Sequence, residues 1–240
     1  MNYAIIAAGE GSRLAAEGVA LPKPLVPVDG RPMIQRLIDI FLSCDAERIS
    51  IIVNKEMFEV ACYIREVAAP ASPVPIDLVV KSTPDSMHSF YELSRHIPTG
   101  KFILTTVDTI FDEEAFRRYV AAFAADSKAD GYMAVTTYID DEKPLYVYTD
   151  AYNRISDYCD EPILGAHYIS GGIYGLCAPR ALDILQDCIA SGKARMRNYQ
   201  RALVAADCQL YAYDIGKIID VDHAGDIAKA NSLIQQFRKQ

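Results

Sequence analysis

The fold is decided by the stretch Ala7-Ala8-Gly9-Glu10-Gly11-Ser12-Arg13, which directly follows the apolar, strand-like run Tyr3–Ala7. Glycine allows positive φ angles and lets a ligand approach the backbone closely. Successive amide groups in such a turn can hold the oxygens of a triphosphate, and the planar cation of Arg13 suits a phosphate. The stretch lacks the third glycine of a dinucleotide fingerprint and the GKS or GKT of a Walker A loop. A tight turn between a strand and a helix would use the same glycines, and the two glycines alone favour that simpler interpretation.

Beyond this loop, the first half of the chain alternates between strand and helix periodicity. The predicted strands after the first are Ile49–Val53, Ile76–Val80 and Phe102–Val107. The predicted helices are Met33–Leu42, Glu56–Val67, Met87–His96 and a helix that begins near Asp112. Alternation at this spacing implies right-handed βαβ units. The sequence therefore predicts an α/β fold with a mainly parallel sheet that helices cover on both faces.

The second half of the chain has a less regular pattern. Its predicted strands are Gly131–Thr137, Leu145–Thr149, Tyr168–Leu176, Leu210–Asp214 and Lys217–Val221. Its predicted helices are Pro179–Ala190, Met196–Ala205 and a helix that begins near Ala224. No linker or low-complexity tract interrupts the pattern. We therefore expect a single domain over residues 1–240, with a nucleotide-binding half over about 1–125 and an acceptor-binding half over about 126–240.

The composition limits the classes of function. The 240 residues are 51% hydrophobic and 23% charged, which is typical of a globular protein with a real core. Because the net charge is −8, neither a duplex nucleic acid nor an anionic membrane is expected as a partner. The six cysteines form no CxxC pair, and the chain shows neither a signal peptide nor a membrane-spanning apolar run. We expect a cytoplasmic protein with reduced thiols.

A second candidate for phosphate chemistry is Pro22-Lys23-Pro24-Leu25. Proline fixes its own φ and biases the residue before it towards an extended backbone. Lys23 is therefore held on a stiff segment, which suits a point charge that must meet a phosphate at a set place. A solvated lysine in a proline-rich loop has the same sequence, and these four residues alone favour that interpretation.

Two acidic segments are candidates for a metal site. Asp108 ends the apolar strand Phe102–Val107, and ligands of open parallel sheets bind at the carboxyl ends of strands. Asp220 and Asp222 alternate on a predicted strand, so both carboxylates lie on one face about 7 Å apart. Like charges at that distance favour a cation between them, and Mg²⁺ is a hard cation that prefers oxygen ligands. An acidic strand end that faces solvent and caps the next helix explains this second segment equally well.

Together these segments resemble the signature of the sugar-phosphate nucleotidylyltransferases. The family patterns GxG[TS]R, PKPL and a GxPMI-like helix start are matched by Gly9-Glu10-Gly11-Ser12-Arg13, Pro22-Lys23-Pro24-Leu25-Val26-Pro27-Val28 and Gly30-Arg31-Pro32-Met33-Ile34. The resemblance is close from Tyr3 to about Ile38 and weaker to the end. The Ala-Ala-Gly opening and Ser82–Tyr91 are more similar to the cytidylyl- and uridylyltransferase members, including phosphocholine cytidylyltransferases. The resemblance implies a three-layer, Rossmann-like (GT-A-like) nucleotidyltransferase fold with a mainly parallel central mixed sheet.

The resemblance also implies roles for residues of the nucleotide half. The loop residues that would grip the triphosphate are Ala7, Ala8, Gly9, Gly11, Ser12 and Arg13. Arg13 and Lys23 would contact the reacting phosphates as catalytic residues, together with Asp108 as a ligand of Mg²⁺. One departure is Val107, because the family usually has glycine just before the metal aspartate.

Further roles implied by the resemblance concern the metal, the base and the acceptor. Asp220 and Asp222 match the family's second metal segment, whereas His223 is expected to be a bystander. Thr83 and Ser86 lie in the segment that resembles the family's base and ribose site, although Ser86 could equally cap a helix. The acceptor-side candidates are Ser170, Gly171 and Gly172. Lys217 is added to them on its position alone, because it points along the Asp220 segment and could reach a phosphate. A β-bulge would also explain these glycines, and a surface position would also explain this lysine.

These residues predict transfer of a nucleotidyl group from a nucleoside triphosphate, with CTP or UTP favoured, to a phosphorylated small acceptor. The acceptor is expected to be a sugar 1-phosphate or a phosphocholine-like molecule, with pyrophosphate as the second product and Mg²⁺ as the cofactor. One alternative is a non-catalytic nucleotide-binding regulatory module on the same fold. A second alternative is a glycosyltransferase that uses a nucleotide sugar, although such enzymes have a DxD near mid-chain where this sequence has Val107-Asp108-Thr109.

Overall fold

A computed structural model describes residues 1–139, 143–162 and 165–239. Its strands are β1 (Asn2–Ala7), β2 (Pro27–Val28), β3 (Arg31–Pro32), β4 (Arg48–Val53), β5 (Ile76–Val80), β6 (Gly100–Thr106), β7 (Thr109–Ile110), β8 (Gly131–Thr136), β9 (Tyr146–Thr149), β10 (Ile155–Cys159), β11 (Tyr168–Ala178), β12 (Leu210–Asp214) and β13 (Ile219–Asp220). Its α-helices are α1 (Ser12–Ala16), α2 (Met33–Ser43), α3 (Phe58–Tyr63), α4 (Ala69–Ala71), α5 (Ser86–Ser94), α6 (Glu113–Ala125), α7 (Arg180–Ala190), α8 (Met196–Ala205) and α9 (Ala224–Phe237). A 3₁₀ turn covers Lys23–Leu25, and a π-helical turn at Ile64–Ala68 joins α3 to α4.

The first strand of the sequence lies in the middle of the main sheet. Across the described residues the strand order is β10-β9-β11-β6-β1-β4-β5, and β8 joins β11 to β12. Tyr3 of β1 pairs in parallel with Ile49 of β4 and with Ile103 of β6. The strand is buried along almost its whole length because both faces of the sheet are covered, which is why its sequence is continuously apolar rather than alternating.

Helices pack on both faces of this sheet and make three layers. On one face α2, α3, α6 and α9 enclose a core in which the rings of Tyr3 and Phe41 stack 4.3 Å apart. On the other face α5, α7 and α8 enclose a second core, where Phe90 meets the edge of Tyr199 at 5.5 Å. Each fully buried aromatic side chain contributes about 2 to 3 kcal/mol through the area it removes from water. The two cores fix the sheet from both sides, and the predicted α/β layering is confirmed.

The sheet is mixed, as predicted, and its two halves differ. The pairs β1–β4, β1–β6 and β4–β5 are parallel. The long strand β11 is antiparallel to β6, β8 and β9, whereas β12 returns to a parallel pairing with β8. None of the helices in the described part of the chain combines the length and the apolar character that crossing a bilayer requires.

Several local predictions differ from the structure, and two of the differences concern strands near the site or the sheet edge. The edge strand β10 was not predicted, because Ser156 and Asp157 face solvent and interrupt the apolar pattern. Of the predicted strand Lys217–Val221, only Ile219–Asp220 forms a strand, and it pairs with β7. Strand alternation places the Val221 side chain on the face opposite to Asp220 and Asp222, and this side chain is fully buried.

The strand directions bring the candidate residues to one edge of the sheet. β1 and β6 are parallel neighbours, so the loop after Ala7 and the residue after Val107 emerge side by side. The amide of Val107 donates to the carbonyl of Ile6 at 3.0 Å and extends this pairing to the edge. The amide of Val221 donates to the carbonyl of Asp108 at 3.1 Å, which joins the second acidic segment to the first.

Candidate active site

The glycine loop and the proline-flanked lysine pack directly against each other. Gly11 has φ +63°, a left-handed conformation that glycine adopts without strain. A Cβ atom at this position would lie 2.9 Å from Cβ of Lys23, so a side chain would displace the lysine. Both segments border a cleft of about 610 Å³, a volume suited to a small-molecule ligand. Gly9, Ser12 and Arg13 complete this side of the cleft.

Lys23 is the central cation of the cleft. Its side chain is 10% exposed, and its ammonium forms ion pairs with Asp108 and, at 2.7 Å, with Oδ1 of Asp222. Burial alone would lower the pKa of Lys23, but the two carboxylates outweigh burial and raise that pKa above its ordinary value. Lys23 therefore remains a fixed positive charge between the two acidic segments.

Arg13 approaches the same carboxylate from the other side. Its Nη1 atom lies 3.0 Å from Oδ2 of Asp222, so each oxygen of Asp222 receives one cation. The Arg13 side chain is about half exposed and borders the cleft. Two cations that could meet phosphates thus contact a carboxylate from the far end of the sequence.

The two acidic segments respond to this arrangement in opposite ways. Burial would raise the pKa of Asp108, but the charge and hydrogen bonds of Lys23 outweigh burial and hold that pKa below its ordinary value. Asp220 is exposed to solvent, yet the protein packed around its carboxyl group, followed by the charge of Asp108, raises its pKa to about 7. Lys23 thus favours the ionised form of Asp108, whereas the surroundings of Asp220 oppose its ionisation.

The residues predicted to hold Mg²⁺ lie at this edge, although a protein cation is already among them. In residues 1–139, 143–162 and 165–239, no group of three or more His, Cys, Asp or Glu side chains has the arrangement of a metal site. Lys23 instead bridges Asp108 and Asp222. The donors still fit the ion, because carboxylate oxygens are the ligands that Mg²⁺ prefers.

A second cavity of about 350 Å³ adjoins the first and shares Arg13 and Asp222 with it. Two predicted acceptor residues, Ser170 and Gly171, and one predicted metal ligand, Asp220, border this cavity. A Cβ atom at Gly171 would overlap the side chain of Ile218, which explains the glycine through close packing. The pairing of β11 with β8 also shifts its register between Ser170 and Tyr174, as the alternative of a β-bulge would require.

Other predicted residues take more distant places. Ala7 is buried at the end of β1, whereas Ala8 borders the larger cleft. Gly172 has φ +71° and stands beside the Thr109 hydroxyl without bordering either cavity. Lys217 also lies outside both cavities, with its ammonium 5.4 Å from the centre of the Tyr138 ring.

The segment predicted to meet the base borders the larger cleft through Thr83 and Ser86. The helix cap, however, is Asp85, whose carboxylate accepts the amides of Met87 at 2.8 Å and His88 at 3.2 Å. The same oxygen accepts the amide of Arg195 at 3.2 Å. A helix cap does lie in this segment, but the cap residue is Asp85 and not Ser86.

Sequence reasoning missed several residues at the two cavities. Arg197 borders the smaller cavity, but an arginine within a helix carries no signal of its own. Asp226 also borders that cavity and accepts the amide of His223 at 2.8 Å. Asp226 lies three residues after the cap residue His223, and an acid at that position is a capping signal that could have been recognised. His223 accompanies it as the cap residue of α9 and contacts Glu17 at 2.5 Å.

This fold and this cleft are typical of proteins that bind a nucleotide at the carboxyl ends of parallel strands. Within that class, the chain belongs to the family of MobA-like NTP transferase domains, whose profile matches residues 3–200. This membership confirms the resemblance found in the sequence.

Two curated relatives match parts of their own lengths. The 2-aminoethylphosphonate cytidylyltransferase of Lancefieldella rimae is 31% identical over 119 residues, which are 47% of this chain and 45% of the relative. The bifunctional protein GlmU of Methanococcus maripaludis is 22% identical over 240 residues, which are 97% of this chain and 54% of the relative. The chain thus spans about half the length of the curated relatives it matches.

Two solved structures share the fold over nearly the whole chain. The inositol-1-phosphate CTP transferase from T. maritima has a TM-score of 0.79 at 18% identity and covers 99% of this chain and 96% of its own. A candidate glucose-1-phosphate thymidylyltransferase from Bacillus anthracis has a TM-score of 0.82 at 19% identity, with 99% of both chains covered. These likenesses confirm the predicted Rossmann-like fold.

Proposed function

We propose that the chain is a nucleotidyltransferase that transfers a nucleotidyl group from a nucleoside triphosphate to a phosphorylated small molecule and releases pyrophosphate. One observation carries this proposal: the two cavities meet at Arg13 and Asp222. A donor in the larger cavity and an acceptor in the smaller one would therefore meet at this pair. Family membership and the name of the cytidylyltransferase relative support the same reaction.

The proposed reaction is an in-line displacement. An oxygen of the acceptor phosphate attacks the α-phosphorus, the bond from that phosphorus to the bridging oxygen breaks, and pyrophosphate leaves with the electron pair. Phosphoryl chemistry of this kind depends on positioning and charge neutralisation. An acceptor phosphate is already ionised at neutral pH, so the mechanism requires no general base.

The proposed roles follow from the positions of the side chains. The loop of Gly9, Gly11 and Ser12 holds the β- and γ-phosphates together with Arg13, while Lys23 neutralises charge that develops at the α-phosphate. Mg²⁺, when bound, would supply charge neutralisation for both substrates through the carboxylates of the two acidic segments. The residues that would hold it are Asp108, Asp220 and Asp222.

The remaining assignments concern specificity. We propose that Ala8, Thr83 and Ser86 border the nucleotide and that Ser170 and Gly171 border the acceptor, which agrees with the cavities they line. CTP or UTP is the proposed donor, and a sugar 1-phosphate or a phosphocholine-like molecule is the proposed acceptor. The division into a nucleotide half over about residues 1–125 and an acceptor half over about 126–240 is part of the proposal, within one domain.

A screen of four nucleoside triphosphates against phosphorylated acceptors, with pyrophosphate release as the readout, tests this proposal directly. The expected result is Mg²⁺-dependent release that requires one triphosphate and one acceptor and disappears in Asp108→Asn. Binding without release would favour the regulatory module. Sugar transfer from a nucleotide sugar, without pyrophosphate release, would favour the glycosyltransferase. Either result would overturn the proposed reaction.

A further inference from the structure

Asp222 stands between the last short strand and the last helix, and one buried carboxylate holds the backbone there. The amide of Asp222 donates to Oδ2 of Asp226 at 3.2 Å. The next amide, of His223, donates to the same oxygen at 2.8 Å. Two consecutive peptide groups beside the Asp222 side chain are therefore fixed by a single acceptor.

Asp226 is itself fixed by the helix that carries it. The residue is only 9% exposed, and its other carboxylate oxygen forms an ion pair with Lys229 at 3.1 Å. Along the same helix α9, Ala230 and Ile234 are buried in the core beneath the sheet. The carboxylate is thus anchored to a packed element rather than to a mobile loop.

The position of Asp222 decides whether both cations of the cleft are engaged. Its two oxygens lie 2.7 Å from Nζ of Lys23 and 3.0 Å from Nη1 of Arg13. Ion pairs at these distances require the carboxylate to stay in place to within a few tenths of an ångström. A backbone that lost its hydrogen bonds to Asp226 would leave both pairs with poor geometry.

We infer that Asp226 is a positioning residue, which holds the backbone of Asp222 so that this carboxylate can hold Mg²⁺ beside the nucleotide phosphates. The inference rests on the proposed function for the role of Asp222. Asp226 acts through two backbone amides, and its own oxygens need not contact the substrates. Partners that orient the ligands of a metal in this way change metal affinity or activity by about 10- to 100-fold when they are removed.

The alternative is that Asp226 merely caps its helix, and the chain offers a matched control for that role. Asp112 is the cap residue of α6, and the amide of Ala115 in the first turn donates to its Oδ1 at 2.8 Å. Asp112 borders neither of the two cavities of the site. Asp112→Ala therefore removes a carboxylate cap without touching the candidate active site.

The experiment compares the parent protein with Asp226→Ala, Asp226→Asn and Asp112→Ala. Amide hydrogen exchange at residues 222 and 223 reports on the backbone contact. The rise in Tm during a MgCl₂ titration at fixed CTP reports on the ligand site. We expect faster exchange and a Mg²⁺ midpoint about 10- to 100-fold higher in Asp226→Ala. Asp226→Asn retains an amide oxygen that accepts both N–H groups, so its midpoint should stay within about threefold of the parent.

The outcomes separate this inference from the proposed function. An unchanged midpoint in Asp226→Ala, or an equal rise in Asp112→Ala, overturns the positioning role. A loss confined to acceptor affinity, with a normal Mg²⁺ midpoint, overturns it in favour of direct contact with the acceptor. If none of CTP, UTP, ATP or GTP stabilises the parent with Mg²⁺, the proposed function fails. The hydrogen-exchange measurement does not depend on the proposed function. Unchanged exchange at residues 222 and 223 in Asp226→Ala would overturn the backbone contact even in that case.

Discussion

The Nζ atom of Lys23 lies 2.7 Å from Oδ1 of Asp222, across 199 positions of sequence. Arg13 contacts the other oxygen of the same carboxylate at 3.0 Å. The two cations proposed to bind phosphates are therefore both engaged by one acid. A nucleotide must compete with that acid, whereas a metal ion on the acid would release both cations.

Asp222→Asn should consequently change nucleotide affinity in opposite directions with and without metal. In a chelator, the neutral amide no longer competes for Lys23 and Arg13, so CTP should bind up to about fivefold more tightly, the scale of a partly exposed ion pair. With Mg²⁺, loss of a metal ligand should weaken binding by at least about tenfold. Calorimetric titration in both buffers measures the pair of values.

The control for this inversion is Asp77→Asn, which removes an Arg48–Asp77 ion pair of 2.6 Å outside both cavities. Its nucleotide affinity should match the parent in both buffers. A decrease in affinity for Asp222→Asn in the chelator as well would show that Asp222 does not compete with the nucleotide.

Lys23→Ala should retain the fold and lower turnover by about a hundredfold or more, because it removes a charge partner of the reacting phosphates. It also leaves the Asp108 carboxylate, whose side chain is 19% exposed, without its cation, so Tm should fall in metal-free buffer. Pyrophosphate release and thermal unfolding measure the two effects. Lys55→Ala, at an exposed lysine outside both cavities, is the control. Near-normal turnover in a folded Lys23→Ala protein would remove Lys23 from the mechanism.

The titration of Asp220 predicts a pH-dependent gain in stability for Asp220→Asn in metal-free protein. The folded pKa of about 7 exceeds the ordinary value of 3.8, so between these values the unfolded chain ionises while the folded one keeps its proton. Unfolding of the parent therefore becomes progressively easier as pH rises through this range, and the effect is complete above it. The Tm of Asp220→Asn minus that of the parent should grow from pH 4 to pH 7 and then level off. A difference that stays constant across that range would contradict the raised pKa.

Gly11→Ala should weaken CTP binding by about tenfold or more, because its Cβ would lie 2.9 Å from Cβ of Lys23 and push the lysine out of the cleft. Gly18→Ala is the matched control: Gly18 has φ +87°, and a Cβ there meets nothing within 4 Å. Both variants force an L side chain into the left-handed region at a cost of about 1 kcal/mol. Equal loss of affinity in both would point to general destabilisation instead.

Val221→Ala should destabilise the protein by about 2 kcal/mol, since it removes two fully buried methyl groups. Because the Val221 side chain points away from the cleft, the rise in Tm on adding Mg²⁺ and CTP should persist. In Asp220→Ala and Asp222→Ala that rise should shrink. Thermal unfolding with and without ligand separates the two groups, and a full rise in both Asp variants would exclude the segment from the metal site.

The sequence predicted the parts of this molecule that depend on local backbone chemistry. Gly11 and Lys23 could be found because their segments together match the family pattern, although each segment alone favoured a simpler interpretation. The layered fold followed from the periodicity of strands such as β1, which are buried on both faces. The Asp220–Asp222 pattern was recognised from alternation, even though only Ile219–Asp220 is paired as a strand.

The parts that escaped prediction depend on long-range contacts. No local signal shows that Lys23 reaches Asp222, because the contact is set by the packing of α9 beneath the sheet. Arg197 reaches the smaller cavity only because α8 is placed there by its own core contacts. Lys217 illustrates the opposite case: its position near Asp220 in sequence suggested a place in the cleft, but its ammonium lies over Tyr138 instead.

The separation of Lys23 and Asp222 also matters during biosynthesis. A ribosome that adds about 5 to 20 residues per second needs roughly 10 to 40 s to travel the 199 residues between them. During that interval the nascent chain displays the glycine loop and its cations without the acid that later contacts them. Asp108 is synthesised within that interval and can pair with Lys23, so the ion pair of Arg13 and the second ion pair of Lys23 are the contacts that wait for Asp222.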